Sequence, residues 1–154
     1  MTDSAVDFSV IIPAYNEAGT IAPVLERLTA HLATMGKVYE VLVVSDGATD
    51  TTADEVRAVG GAVRLIEHPY NIGNGAAVKT GIRHARGAVV VFMDADGQHA
   101  PEDLERLLAD CDRYDMVVGA RGPESHAGWH RRLANGMYDF LASYVTGQQV
   151  EDLT

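Results

Sequence analysis

Residues 89–99 read VVVFMDADGQH. A β-branched, apolar run passes without a polar spacer into Asp94, one small residue, and Asp96. A run this short, closed by a Gly-containing turn, reads as a strand. VVVF, lacking polar alternation, is the pattern of a strand covered on both faces of a parallel sheet. Outward from it, residues 8–12, 39–44, 63–67 and 115–118 are similar runs, and with 88–93 they give five predicted strands. The intervening segments switch to helical period: Ile21, Val24, Leu25, Leu28 and Leu32; then Val78, Gly81, Ile82 and Ala85; then Leu104, Leu107, Leu108 and Cys111. Thr52 and Glu55 have the spacing of a capping box, and Pro101, Glu102 and Asp103 suit the opening of a helix. Alternating strands and helices predict an α/β fold with a doubly wound, mostly parallel sheet.

Composition narrows the functional classes. The 154 residues are taken as a single domain, residues 1–154. A net charge of −10, with only 12 Lys and Arg, argues against nucleic acid as a partner. It also means that an anionic ligand needs a cation between itself and the protein. Cys111 is the sole cysteine, which excludes an internal disulfide and argues against a thiolate metal site. No apolar run approaches the roughly 20 residues of a membrane span. MTDSAVDFS lacks the features of a signal peptide, so a cytoplasmic location is expected. Leu133, Met137, Phe140, Leu141 and Tyr144 share one helical face in residues 129–145. That face suits packing on a core or, with Trp129, Arg131 and Arg132 beside it, peripheral contact with a membrane.

In a parallel α/β sheet, ligands bind beyond the carboxyl ends of the strands. Three polar clusters fall at that edge: Pro13-Ala14-Tyr15-Asn16-Glu17, Ser45-Asp46-Gly47-Ala48-Thr49-Asp50 and Asp94-Ala95-Asp96-Gly97-Gln98-His99. On an extended chain Asp94 and Asp96 project to the same side, and Gln98 joins them if the extension persists. Oxygen donors without cysteine favour a hard cation, Mg²⁺ or Mn²⁺. The same residues match the first, third and fifth places of a calcium loop, but His99 stands where that loop needs Gly and Pro101 interrupts it. Strand, Asp-x-Asp-Gly and turn also resemble the nucleophile motif of haloacid-dehalogenase-like phosphatases, which remains an alternative. That family opens its domain with this strand, whereas here three strands precede it.

Taken in order, VIIPAYNEAGTI, VVSDGATDTT, NIGNGAAVKTG and VFMDADGQHAPEDL resemble the family 2 inverting glycosyltransferases of the A-type fold. The resemblance is to the dolichol-phosphate mannose synthase-like branch and runs from Ser9 to Thr154. It implies transfer of a hexose from a GDP- or UDP-linked nucleotide-diphosphate sugar to a polyprenyl phosphate, a lipid phosphate acceptor used in glycan assembly at the cell envelope. It further implies that Pro13, Tyr15 and Glu17 line the base and ribose pocket and that Asp46 accepts a hydrogen bond from the nucleoside. Asp94, Asp96 and Gln98 would hold Mg²⁺ or Mn²⁺ at the diphosphate, while Arg121 and Arg131 or Arg132 would face sugar and acceptor phosphate. Asp152 is the candidate general base. Two departures stand out: Ser45-Asp46 replaces the usual Asp-Asp, and Asn74 stands where a cation is common, leaving Lys79 as the nearest substitute. Asn71, Gly73 and Gly75 begin a helix whose backbone N–H groups could meet an anion. The family's acceptor segment continues past the sequence of residues 150–154, so a catalytic domain cut short at Thr154 is expected, able to bind donor without completing transfer.

Overall fold

The computed structural model describes residues 5–119. Two compact units divide the chain, Met1–Arg113 and Tyr114–Thr154, and the sheet lies in the first. Its elements are β1 (Phe8–Ala14), α1 (Ile21–Leu32), β2 (Tyr39–Ser45), α2 (Thr52–Val59), β3 (Val63–Glu67), α3 (Asn74–His84), β4 (Val89–Phe92) and α4 (Asp103–Ala109). The four strands are parallel in the order β3-β2-β1-β4, so their carboxyl ends share one edge, as the alternation predicts.

Period-two alternation divides the sheet between its two layers. Phe8, Val10, Ile12 and Ala14 of β1, with Val41, Val43 and Val91, pack against Ile21, Leu25, Leu28 and Leu32 of α1, Val56 of α2 and Leu104 of α4. Ile11 points the other way, onto α3. There Gly81 lies so near that a Cβ would stand 2.4 Å from Ile11 Cγ2, so the helix interior accepts a glycine to let α3 settle on the sheet.

At the amino ends of the strands, buried Glu40 accepts hydrogen bonds from Ser9 Oγ (2.8 Å), the Arg86 N–H (2.7 Å) and Arg64 (2.7 Å). Burial pushes this carboxyl up, but the bonds from Ser9, Arg86 and Arg64 outweigh it and hold the group below its ordinary value.

Three sequence expectations are corrected. Residues 115–118 form no strand; Met116 and Val118 are exposed, and no ladder partner reaches them among the described residues. β4 is covered less completely than VVVF suggests: it is the edge strand of the described sheet, and Phe92 is 51% exposed. Thr52 and Glu55 form no capping box, because both side chains are drawn to the loop after β1.

Candidate functional site

Pro13 opens the site. Met93 N–H reaches Ile11 O at 3.1 Å, so the backbone N–H and C=O groups of odd-numbered β1 residues are directed at β4. Pro13 has no N–H with which to continue that ladder. Pairing of β1 with β4 ends at Ile11 and Phe92, and the strands part beyond it. The opening is a cavity of about 370 Å³ lined by Pro13, Tyr15, Glu17, Asp46, Asn71, Asn74, Asp94 and Asp96, with Ala14, Ala77 and Ala95 between them. All three sequence clusters contribute to it.

The β1–α1 loop is held by side chains of the segment after β2. Glu17 N–H donates to Thr52 Oγ1 (2.8 Å), Ala18 N–H to Asp50 Oδ2 (3.0 Å) and Gly19 N–H to both Glu55 oxygens (3.0 and 2.9 Å). Asn16, in the left-handed region at φ 55°, accepts the Thr49 N–H at 2.8 Å through its own side chain. Asp50, rather than Thr52, accepts the N–H at the start of α2 (Thr52 N–H, 3.0 Å). The Thr52 hydroxyl, which also donates to Asp50 Oδ1, together with the Thr52 and Ala18 N–H groups keeps the Asp50 carboxyl below its ordinary value.

The opposite lip is fixed by Asp46. Its Oδ1 lies 2.7 Å from His68 Nδ1 and accepts the Ile72 N–H at 3.0 Å; its Oδ2 accepts the Gly73 N–H at 2.7 Å. Burial raises this carboxyl, yet His68 and the two backbone N–H groups together hold it below its ordinary value. Asp46 therefore lines the cavity with much of its acceptor capacity already used inside the protein. Gly47, at φ 67°, has no room for a side chain: a Cβ would stand 2.3 Å from the Tyr70 carbonyl carbon.

The aspartate pair leaves the sheet directly after Met93. Ala95 is buried between them while Asp94 and Asp96 are exposed and line the cavity. The expected extension stops here: Asp96 Oδ1 accepts the Gln98 N–H at 2.9 Å, and Gly97 takes φ 75°. The chain turns, and Gln98 is not among the lining residues. Among the described residues, no Lys or Arg makes an ion pair with Asp94 or Asp96; His99 stands 3.8 Å from Asp94 Oδ2, and its Nδ1 accepts the Asp94 N–H at 3.3 Å. Among the described residues no group of three or more His, Cys, Asp and Glu side chains converges so as to hold a metal by itself. Two uncompensated carboxylates facing a cavity still fit a hard cation of the Mg²⁺ type, which typically takes one or two protein carboxylates and completes its shell with phosphate and water.

Other expected site residues are not brought in. Gly73 N–H is spent on Asp46, while Gly75 and the exposed Lys79 lie off the lining. Arg121, Arg131, Arg132, Asp152 and the helix expected over 129–145 lie outside the described residues. Asn71 and Asn74, which the sequence places in the glycine segment and at its cation position, do line the cavity through that lip; sequence reading missed the ties made by Asn16, Asp50 and Glu55, and the placing of His68 and His99. Of these, Asn16 carried a usable signal, since Asn tolerates a left-handed turn immediately after a strand.

The model of the family described as Glycosyl transferase family 2 matches residues 9–153. The chain belongs to that family. It is 34% identical over 148 residues to the undecaprenyl-phosphate 4-deoxy-4-formamido-L-arabinose transferase of Edwardsiella ictaluri (strain 93-146), a match covering 94% of this chain and 46% of the relative. It is 29% identical over 154 residues to the dodecaprenyl-phosphate galacturonate synthase of Rhizobium johnstonii, covering 96% and 46%. The chain thus spans just under half the length of these relatives. Among solved structures, the glucosyl-3-phosphoglycerate synthase of Mycobacterium tuberculosis, in complex with Mn²⁺, UDP-glucose and phosphoglyceric acid, superposes with a TM-score of 0.57 at 27% identity, over 69% of this chain and 39% of that one. The parallel sheet with its helices is accordingly the A-type glycosyltransferase fold expected from the four motifs. No helix among the described residues is long and apolar enough to cross a membrane.

Proposed function

We propose that this chain forms the donor-binding part of a metal-dependent inverting hexosyltransferase. Its donor is a nucleotide-diphosphate sugar, GDP- or UDP-linked, and its acceptor a polyprenyl (dolichyl-type) phosphate at the cytoplasmic face of a membrane. One observation carries the donor half: Asp94 and Asp96, with no Lys or Arg partner among the described residues, face the same cavity as Tyr15 and Glu17. Two adjacent carboxylates repel a diphosphate unless a cation intervenes. The acceptor half draws on the polyprenyl-phosphate sugar transfer for which both relatives are named, and the metal on the Mn²⁺ of the related synthase.

In this reading Asp94 and Asp96 are the residues that would hold the metal. When bound, Mg²⁺ or Mn²⁺ supplies a Lewis acid that neutralises the charge growing on the leaving nucleoside diphosphate. Tyr15 offers a ring face and Glu17 a carboxylate able to accept from ribose hydroxyls or base N–H groups. Asn71 and Asn74 present amides from the other lip. Attack from the face opposite the leaving group inverts the anomeric carbon, and an acceptor phosphate is already ionised near neutral pH, so it needs little general-base help. Arg121 and Arg131 or Arg132 are the proposed partners of sugar and acceptor phosphate, and Asp152 the proposed base where the acceptor is a hydroxyl.

The test is calorimetric titration with GDP, UDP and their mannose and glucose conjugates, with and without Mn²⁺. One nucleotide should bind only with the metal, and Asp96→Asn, which keeps an acceptor for the Gln98 N–H, should weaken that binding by on the order of 10–100-fold. Wild-type protein that binds no nucleotide diphosphate at any metal concentration sinks the donor reading. Hydrolysis of a generic phosphomonoester, lost in Asp94→Asn, would point to the phosphatase alternative.

A further inference from the structure

His68 stands one residue beyond β3, its N–H anchored on Ser45 O at 2.9 Å and its side chain 9% exposed. It is not among the residues lining the cavity. Its ring nevertheless bridges two groups on either side: Nδ1 is 2.7 Å from Asp46 Oδ1, and Nε2 is 2.9 Å from Thr80 Oγ1 in the second turn of α3. An ionised carboxylate can only accept, so Nδ1 carries the proton; in the neutral ring Nε2 then accepts from the Thr80 hydroxyl. Asp46 passes the constraint on, receiving the Ile72 and Gly73 N–H groups at 3.0 and 2.7 Å. Those two peptides lie between Asn71 and Asn74, the two amide side chains of that lip.

We infer that His68 is a positioning residue for this site. Through Asp46 it holds the peptides of Ile72 and Gly73, and so sets where Asn71 and Asn74 stand when a nucleotide diphosphate enters. The inference rests on the donor reading above. Histidine suits the position because one rigid ring offers a donor and an acceptor on opposite sides, so the α3 hydroxyl and the carboxylate just beyond β2 are fixed relative to each other. Ile72 and His68 share the same oxygen of Asp46. Without the ring, that buried oxygen keeps a single donor, and the carboxylate is free to rotate away from the Ile72 N–H.

Three variants of the full chain test this. His68→Ala removes the ring. His68→Asn keeps an amide N–H where Nδ1 stood. Glu40→Gln loosens the amino ends of the strands, away from the cavity, as a stability control. The affinity for UDP or GDP, whichever wild type binds with Mn²⁺, is measured well below each unfolding midpoint. Hydrogen exchange of the Ile72 and Gly73 amides is followed by NMR under the same conditions. His68→Ala should weaken binding about tenfold, the size of effect expected for leaving a buried acceptor short of a partner. It should also speed exchange at both amides. His68→Asn should recover most of both effects, and Glu40→Gln should lower the midpoint while moving neither.

Exchange at Ile72 and Gly73 unchanged in His68→Ala overturns the clamp, whatever binds. Faster exchange with unaltered affinity overturns its role in the site and leaves a purely structural histidine. An affinity loss matched by Glu40→Gln does the same. Wild-type protein that binds no nucleotide diphosphate overturns the donor reading and the ligand half of this inference, and the exchange data then decide the clamp alone.

Discussion

Asp46 was legible as a residue of the crevice, because an aspartate directly after a strand in a parallel sheet belongs at its carboxyl edge. Its internal ties were not legible. Beside the expected nucleoside contact, the carboxylate is bonded to His68, Ile72 and Gly73, three partners that no spacing in the sequence connects to it. Asp46→Asn turns one acceptor into a donor facing N–H groups, so it should destabilise the fold by about 1–3 kcal/mol, read from the shift of a denaturant midpoint. Glu40 gives the pH counterpart. Its folded carboxyl lies below the ordinary 4.5, and that of Asp46 below 3.8. As pH falls, the unfolded chain takes up these protons first. The stability they contribute is whole above the ordinary values and is lost as pH drops through the folded ones. The thermal midpoint should therefore hold steady between about pH 7 and 5 and decline below that, with a shallower decline in Glu40→Gln.

Elements were read more reliably than the ends that join them. α1, α3, α4 and the four strands of the sheet lie where hydrophobic period placed them, since burial on α1 (Ile21, Leu25, Leu28, Leu32) enforces a 3.6-residue repeat that chance seldom imitates, whereas α2 was marked only by its start signal at Thr52. Loops carry no such repeat. Thr52 and Glu55 matched a local capping signal, yet they bond to residues more than thirty positions away in sequence, and local reading has no access to such partners. Gln98 failed for a related reason: alternation holds only while the chain stays extended, and the Asp96 side chain folds it back at once. Thr52→Val keeps the shape but removes the acceptor of the Glu17 N–H, and should lower nucleotide affinity more than it lowers the unfolding midpoint. Gly47→Ala, by contrast, forces a Cβ into the backbone at Tyr70 and Asn71, so loss of several kcal/mol is expected, beyond the usual 1–3 of overpacking. Chemical denaturation of the two variants separates the cases.

On the scale of the molecule, the parallel order β3-β2-β1-β4 brings three distant clusters to one rim, and this convergence was visible before any coordinates because polar residues followed successive apolar runs. The fifth strand was not predictable in the same way. DMVV at 115–118 has strand composition, but a strand exists only through its neighbour. The closeness of α3 to the sheet supplies a further check at this scale. Gly81→Leu should prise α3 from Ile11, widening the cavity's α3 side and lowering stability by about 1–3 kcal/mol, with near-ultraviolet dichroism changing ahead of far-ultraviolet.

The ties around the cavity have an unequal distribution. Both lips are fastened to residues 45–55, through Ser45, Asp46, Thr49, Asp50, Thr52 and Glu55. The aspartate turn has a separate mounting: Met93 and Ala95 are buried in the core cluster, and a Cβ at Gly97 would stand 3.3 Å from Val24 Cγ2 of α1. In mechanical terms the cavity is a vice with one jaw cast into the frame and the other bolted on separately. Load on either lip is shared at once with its twin, while the jaw bearing the carboxylates can be adjusted without resetting the frame.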